Sequence, residues 1–236
     1  VARLGKRKTQ PRGTLSDDEV RSVLISAISL VTAGKVEPQA AVALRLAAVT
    51  GARRSELAAL RWEDLHEGRL VIDSSIAILR IGNGSRRPTL RDDPTKTANR
   101  RVVSLDAASI ELLRSLKDLA GSETPWILSS QSEPVNPERV GAWWRRARDG
   151  AGVDARWRLH DLRHWSATTS IVGGHDIRTV ANRLGHANPS MTLRTYAHAV
   201  ESADEPIAQT LGRVLDDSSP SDLATDMITS DEVIDG

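Results

Sequence analysis

The chain has 236 residues, 39% of them hydrophobic, enough for a real core, and no cysteine, which excludes disulfides and thiolate-ligated metal sites. No apolar run approaches the roughly 18 residues that span a bilayer and no signal-peptide pattern opens the chain, so the expectation is a protein of a reducing cytoplasm, outside membranes. The net charge of +1 hides an asymmetry: residues 201–236 carry ten acids against Arg213 alone, which leaves the first 200 residues strongly basic. A basic body with an acidic tail suits either a polyanionic partner, most economically nucleic acid, or a solvated surface with a solubilising tail.

Residues 1–13 are basic, polar and aperiodic, and read as an arm or interdomain linker. Ser16 and Glu19 form a capping box before a helix through Val20, Val23, Leu24, Ala27, Ile28 and Val31 that stops near Gly34. Pro38 opens a second helix, apolar on every side and so central to the fold, which ends at Thr50 and Gly51. Arg53, Arg54 and Glu56 then stand at the start of a short helix ending near Trp62, where arginines and main-chain amides favour an anion. From Arg69 to Leu105 three runs, RLVID, SSIAILR and RRVVSL, alternate as strands do. Gly82-Asn83-Gly84, Pro88 and Pro94 break them, predicting a small antiparallel sheet with Lys96 near the turn before its last strand.

Asp106–Ala120 reads as a helix and Pro125–Leu128 as a short buried run. Asn136 caps a helix that includes Pro137 and runs to Asp149. In it Trp143, Trp144, Arg145, Arg146 and Arg148 either make a basic, aromatic face or divide, the tryptophans packing inward and the arginines in water. Helices at 161–173, 176–184 and 189–199 follow. In the segment 204–215, Ile207, Leu211, Val214 and Leu215 make one apolar stripe behind an Asp204 cap.

The chemistry gathers in residues 159–198. His160, Arg163, His186 and Tyr196 lie there, and Tyr196 is the only tyrosine in a chain without phenylalanine, hard to read as core filler. Direct attack on a phosphodiester builds negative charge on two non-bridging oxygens, which arginine's forked donors match better than lysine does. Arg53 and Arg163 are the candidate pair, and His160, three residues before Arg163, shares its helix face. Lys96 can donate a proton to a leaving oxygen. A phenol, with a pKa of about 10, needs a cationic site to become a nucleophile. Tyr196 would then hold the phosphoryl group as an aryl ester, which permits rejoining without ATP. His164 and His198 read as supporting residues, Arg54 as a surface or DNA contact, and the histidines lack metal-ligand spacing.

Four segments, TGARRSEL (50–57), TKTANRRVVSL (95–105), HDLRH (160–164) and LGHANPSMTLRTYAH (184–198), resemble in order and spacing the signature boxes of the tyrosine recombinase, or phage integrase, family. The resemblance extends over residues 14–215 and implies a mainly α fold with a small antiparallel β-sheet, an α+β catalytic domain. It implies Arg53 and Arg163 as the catalytic arginines, Lys96 as the hairpin lysine that protonates the departing 5′ oxygen, and Tyr196 as the nucleophile of a 3′-phosphotyrosyl link. His160 and His186 would contribute proton transfer and phosphate contacts. Glu56 would brace the site, although as a residue it reads equally well as a buried structural partner of an arginine. No metal or cofactor is implied.

The partners implied are double-stranded DNA, further copies of the chain in a tetramer on DNA, and accessory directionality proteins, with no membrane. The place implied is the nucleoid of a bacterial or phage-infected cell. Residues 14–203 would form the catalytic domain, 204–215 a helix docking on a neighbouring copy, and 216–236 an acidic disordered tail. The basic opening and the start at Val1 suggest that an N-terminal core-binding domain has been cut away. Two other readings stand beside this one. A non-catalytic DNA-binding regulatory protein of the same fold would have no reason to keep Tyr196, both arginines and His160 together. A type IB-like topoisomerase would relax supercoils without pairing sites. The DNA target and the direction of reaction stay open.

Overall fold

The structure, a computed structural model, describes residues 13–80, 86–91, 100–120 and 124–186. All but the last residue of the expected arm, Lys96, the expected helix 189–199 with Tyr196, the segment 204–215 and the acidic tail lie outside the described residues.

Helix α1 (Asp17–Thr32) starts on the expected capping box. The Glu19 amide donates to Ser16 Oγ at 3.2 Å, and Glu19 Oε2 accepts from the Ser16 amide at 2.8 Å. Helix α2 (Gln39–Thr50) is buried on nearly every side, as its uniform apolarity requires, with Ala43 and Leu44 fully enclosed. It ends on Gly51, whose left-handed backbone (φ +62°) turns the chain toward the next element.

Helix α3 is shorter than the sequence suggests, Arg54–Leu57 rather than a run to Trp62. Main-chain pairing stops it. The Trp62 amide donates to the Pro125 carbonyl and the Ile127 amide to the Leu60 carbonyl, both at 2.9 Å, so the 125–128 run, buried from Trp126 on, takes these groups out of a helix. A 3-10 turn at Trp62–Asp64 follows.

The expected small antiparallel sheet is present, and among the described residues it is divided in two. Strands β1 (Leu65–His66), β2 (Arg69–Ile72) and β5 (Arg101–Ser104) form the first in the order β1-β2-β5, and β3 (Ser75–Arg80) pairs with β4 (Arg86–Arg91) in the second. Pro88, read from the sequence as a break, lies within β4 opposite Ile78. Among the described residues β4 pairs with β3 alone, and an edge strand tolerates the missing amide that a central strand would not.

Helix α4 (Ala107–Ala120) and helix α5 (Pro137–Gly150) follow, the second capped by the side chain of Asn136. No basic, aromatic face forms on α5: Trp143 and Trp144 are both buried while Arg145 and Arg146 are exposed. Arg148 goes inward with the tryptophans, its Nη1 donating to the Ala155 and Trp157 carbonyls at 2.9 and 3.0 Å. Helix α6 (Leu159–Val172) begins two residues earlier than expected, and helix α7 (Ile177–Leu184) is capped by Asp176 and closed by Gly185. Around α2 pack α1, α4, α5 and α6, while α7 lies against α6 and β5. Among the described residues no helix is long and apolar enough to cross a membrane.

Candidate active site

Three chain reversals next to α2 bring the candidate residues together. Arg53 is the N-cap of α3, and Glu56, one turn on, reaches back to it: Glu56 Oε2 accepts the Arg53 amide at 2.9 Å and Oε1 accepts Arg53 Nη1 at 2.8 Å. The reciprocal bond fixes the direction of a side chain that is still 40% exposed, while the carboxylate behind it is buried. Both readings of Glu56 therefore meet in one residue, a buried partner that also braces an arginine.

His160 and Arg163 lie in the first two turns of α6, three residues apart on one face. Arg163 is only 3% exposed, and its Nη1 donates to the Gly51 carbonyl at 2.6 Å, two residues before Arg53. The approach is close because residue 51 lacks a side chain: a Cβ there would stand 2.3 Å from Leu184 Cδ2 and 3.6 Å from Arg163 Cγ. Gly51 thus seats α6 and α7 on the end of α2. The His164 ring meets the His160 ring edge-on, with centroids 5.0 Å apart.

His186 follows Gly185, whose left-handed backbone (φ +69°) ends α7 and whose successor's amide bonds the Ala181 carbonyl at 3.0 Å. Burial, then the charges of Arg163, Arg53 and Arg101, depress its pKa to about 4. Burial also lowers the pKa of His160, helped by His164 and Arg163, and that of His164, where Arg163 adds to burial against Asp161. Near neutral pH these imidazoles are uncharged among fixed cations, able to give or take a proton and to donate N–H to a phosphoryl oxygen. Arg53, Glu56, His160, Arg163 and His186 thus share one electrostatic neighbourhood. Lys96 and Tyr196 lie outside the described residues.

Two further residues of the site escaped the sequence reading. Arg101, on β5, is buried and donates Nη2 to Glu56 Oε2 at 2.7 Å and Nε to the Arg183 carbonyl at 2.9 Å. Its signal was the alternation of β5: Arg101 and Val103 occupy the inward positions, Val102 and Ser104 the outward ones. Arg183 joins α7 to the rest through Nη2, which reaches the Val49 carbonyl at 2.8 Å and the Ser104 carbonyl at 3.1 Å. A cleft of about 450 Å³ opens beside His186, lined among others by Arg100, Arg101, Asn182 and Arg183. Among the described residues no three His, Asp or Glu side chains stand close enough to hold a metal ion.

Known proteins resemble the chain in sequence and in fold. The model of the phage integrase family matches residues 14–202. A tyrosine recombinase XerC 2 of Ralstonia nicotianae is 29% identical over 191 residues, which are 81% of this chain and 50% of that protein. A putative prophage phiRv2 integrase of Mycobacterium tuberculosis is 26% identical over 83% of this chain and 52% of its own length. The chain therefore spans about half the length of the curated relatives it matches. In fold it is similar to a Tn1549 transposon integrase bound to transposon right end DNA, with a TM-score of 0.67 at 18% identity over 86% of this chain and 68% of that one. A lambda integrase tetramer bound to a Holliday junction gives a TM-score of 0.53 at 22% identity, over 80% and 49% of the two chains.

Proposed function

Because the chain belongs to the phage integrase family, we propose that it is the catalytic part of a site-specific recombinase that cuts and rejoins double-stranded DNA through a 3′-phosphotyrosyl intermediate. The observation that carries this reading is the gathering of Arg53, Arg163, His160 and His186 in one neighbourhood, with Arg53 aimed by Glu56 and Arg163 by the Gly51 carbonyl. Such preset cations stabilise the charge that develops on a phosphorane without reorganising during the reaction.

In this reading the Tyr196 oxygen attacks phosphorus and loses its proton, the bond from phosphorus to the 5′ oxygen breaks, and Lys96 protonates that oxygen. Arg53 and Arg163 neutralise the non-bridging oxygens, while His160 and His186 supply phosphate contacts and proton transfer. A 5′ hydroxyl from another strand reverses the step. The ester conserves the bond, so neither ATP nor another cofactor is consumed.

Residues 14–203 form the catalytic domain. The segment 204–215 docks on a neighbouring copy in a DNA-bound tetramer, and the acidic residues 216–236 stay clear of the phosphates. The protein works on the nucleoid of a bacterial or phage-infected cell, with accessory proteins setting direction. The lambda integrase tetramer on a Holliday junction, similar in fold, supports a tetramer on DNA.

The test is a nicked suicide DNA substrate, with mass spectrometry of the covalent adduct. The adduct is expected on Tyr196. Tyr196→Phe should bind DNA as before and form none, and an adduct that survives in this variant would overturn the assignment. Exchange of strands between two duplexes, rather than relaxation of one, is the expected product pattern.

A further inference from the structure

Arg101 has no role in the chemistry proposed above, yet its guanidinium is buried where three pieces of that site meet. The side chain is 5% exposed, and a buried cation persists only where its donors are met. Its contacts lead to separate places. Nη2 holds Glu56 Oε2 at 2.7 Å, the oxygen that also takes the Arg53 amide, while the other carboxylate oxygen holds Arg53 Nη1. Glu56 is therefore divided between two guanidiniums, and its orientation depends on both. Nε holds the carbonyl of Arg183 in the last turn of α7. The guanidinium also lies against Gly185: a Cβ there would stand 2.7 Å from Nη1 and 3.1 Å from Cζ. The next residue is His186.

We propose that Arg101 is a positioning residue for strand cleavage, setting the direction of Arg53 through Glu56 and the place of His186 through the Arg183 carbonyl and Gly185. The proposal rests on the strand-transfer reading of the site. It requires arginine rather than lysine, because Nε and Nη2 serve two acceptors on different elements at once and an ammonium is a single point. The charge of Arg101 also helps to keep His186 uncharged. Removing it should make that imidazole easier to protonate, whereas Arg101→Lys, which keeps the positive charge, should leave its titration close to that of the wild-type protein.

The experiment compares the wild-type protein with Arg101→Met, Arg101→Lys, Glu56→Gln and the Arg101→Met/Glu56→Gln pair. It measures single-turnover adduct formation on the nicked substrate, affinity for the same DNA, the melting temperature, and the His186 titration by NMR. Arg101→Met should slow adduct formation about 100-fold at unchanged DNA affinity, the scale of a misplaced reacting group. His186 should titrate at higher pH in that variant, and Arg101→Lys should recover part of the rate. The double variant should be less impaired than the product of its two single losses, because both act on one carboxylate. A wild-type rate in Arg101→Met, a rate loss matched by lost DNA affinity, or fully multiplicative losses would overturn the role. If Arg101→Met does not fold, Arg101→Lys decides: slowed cleavage at unchanged melting temperature and DNA affinity supports the proposal, and a wild-type rate overturns it. Absence of any adduct from the wild-type protein would instead overturn the strand-transfer reading itself.

Discussion

Arg53 illustrates how a surface charge becomes a directed one. Glu56 receives both its amide and its Nη1, so the guanidinium is held at a fixed angle while much of the side chain stays open to solvent. Holding the carboxylate buried would ordinarily raise its pKa. The hydrogen bond and charge of Arg101, then those of Arg53, outweigh burial and hold Glu56 below the usual carboxylate range, so the brace is charged wherever the protein works. Lysine at position 53 would keep the positive charge and lose the fork. Arg53→Lys should therefore bind DNA nearly as well but form the covalent adduct about 100- to 1000-fold more slowly, the scale seen when one donor to a developing oxyanion is lost. Single-turnover cleavage at saturating protein measures it, and near-normal cleavage would mean that the phosphate lies elsewhere.

At the scale of elements, the joint between α2, α6 and α7 depends on Gly51. An alanine there must adopt a left-handed backbone and drive its Cβ into Leu184, which is itself buried, so the expected loss for Gly51→Ala is about 2–5 kcal/mol. Gly174 is the control, since its backbone is also left-handed but a Cβ would meet nothing within 4 Å. There the backbone penalty stands alone, about 1–2 kcal/mol. Urea midpoints of the two variants separate the cases. These helices and their caps were legible in the sequence because capping boxes, asparagine caps and apolar spacing are local signals. Strand β4 was not, since proline argues against a strand unless the strand is known to lie at an edge. The end of α3 was not either, for it is set by pairing with residues more than sixty positions away. Arg53, Arg163, His160 and His186 could be singled out by their chemistry and spacing. The partner that braces Glu56 from the other side was missed, because arginine is ordinarily a surface residue and only its inward place in the alternation of β5 pointed to burial.

For the molecule as a whole, three depressed histidines make acid stability a reporter of the site. His160, His164 and His186 all have folded pKa values below the ordinary 6.5, His186 at about 4. Below pH 6.5 the unfolded chain therefore takes up protons that the folded chain refuses. Their contribution is complete above that pH and is lost as the pH falls toward 4. Glu56, with its lowered pKa, adds a loss only below its ordinary 4.5. The urea midpoint should already drop between pH 6.5 and 5, and changing the three histidines together to glutamine should flatten that slope. An unchanged slope would contradict the assignment. The bond from Arg183 to the Val49 carbonyl spans 134 residues, that from Arg163 to Gly51 spans 112, and that from Arg101 to Glu56 spans 45. Loop closure over such lengths adds little to the thermodynamic cost, about 0.6 kcal/mol per doubling, but it delays assembly, because contacts this distant form late. A chain still emerging from the ribosome cannot complete this arrangement before residue 183 has docked, so the buried arginines meet their partners only after α7 has emerged and formed.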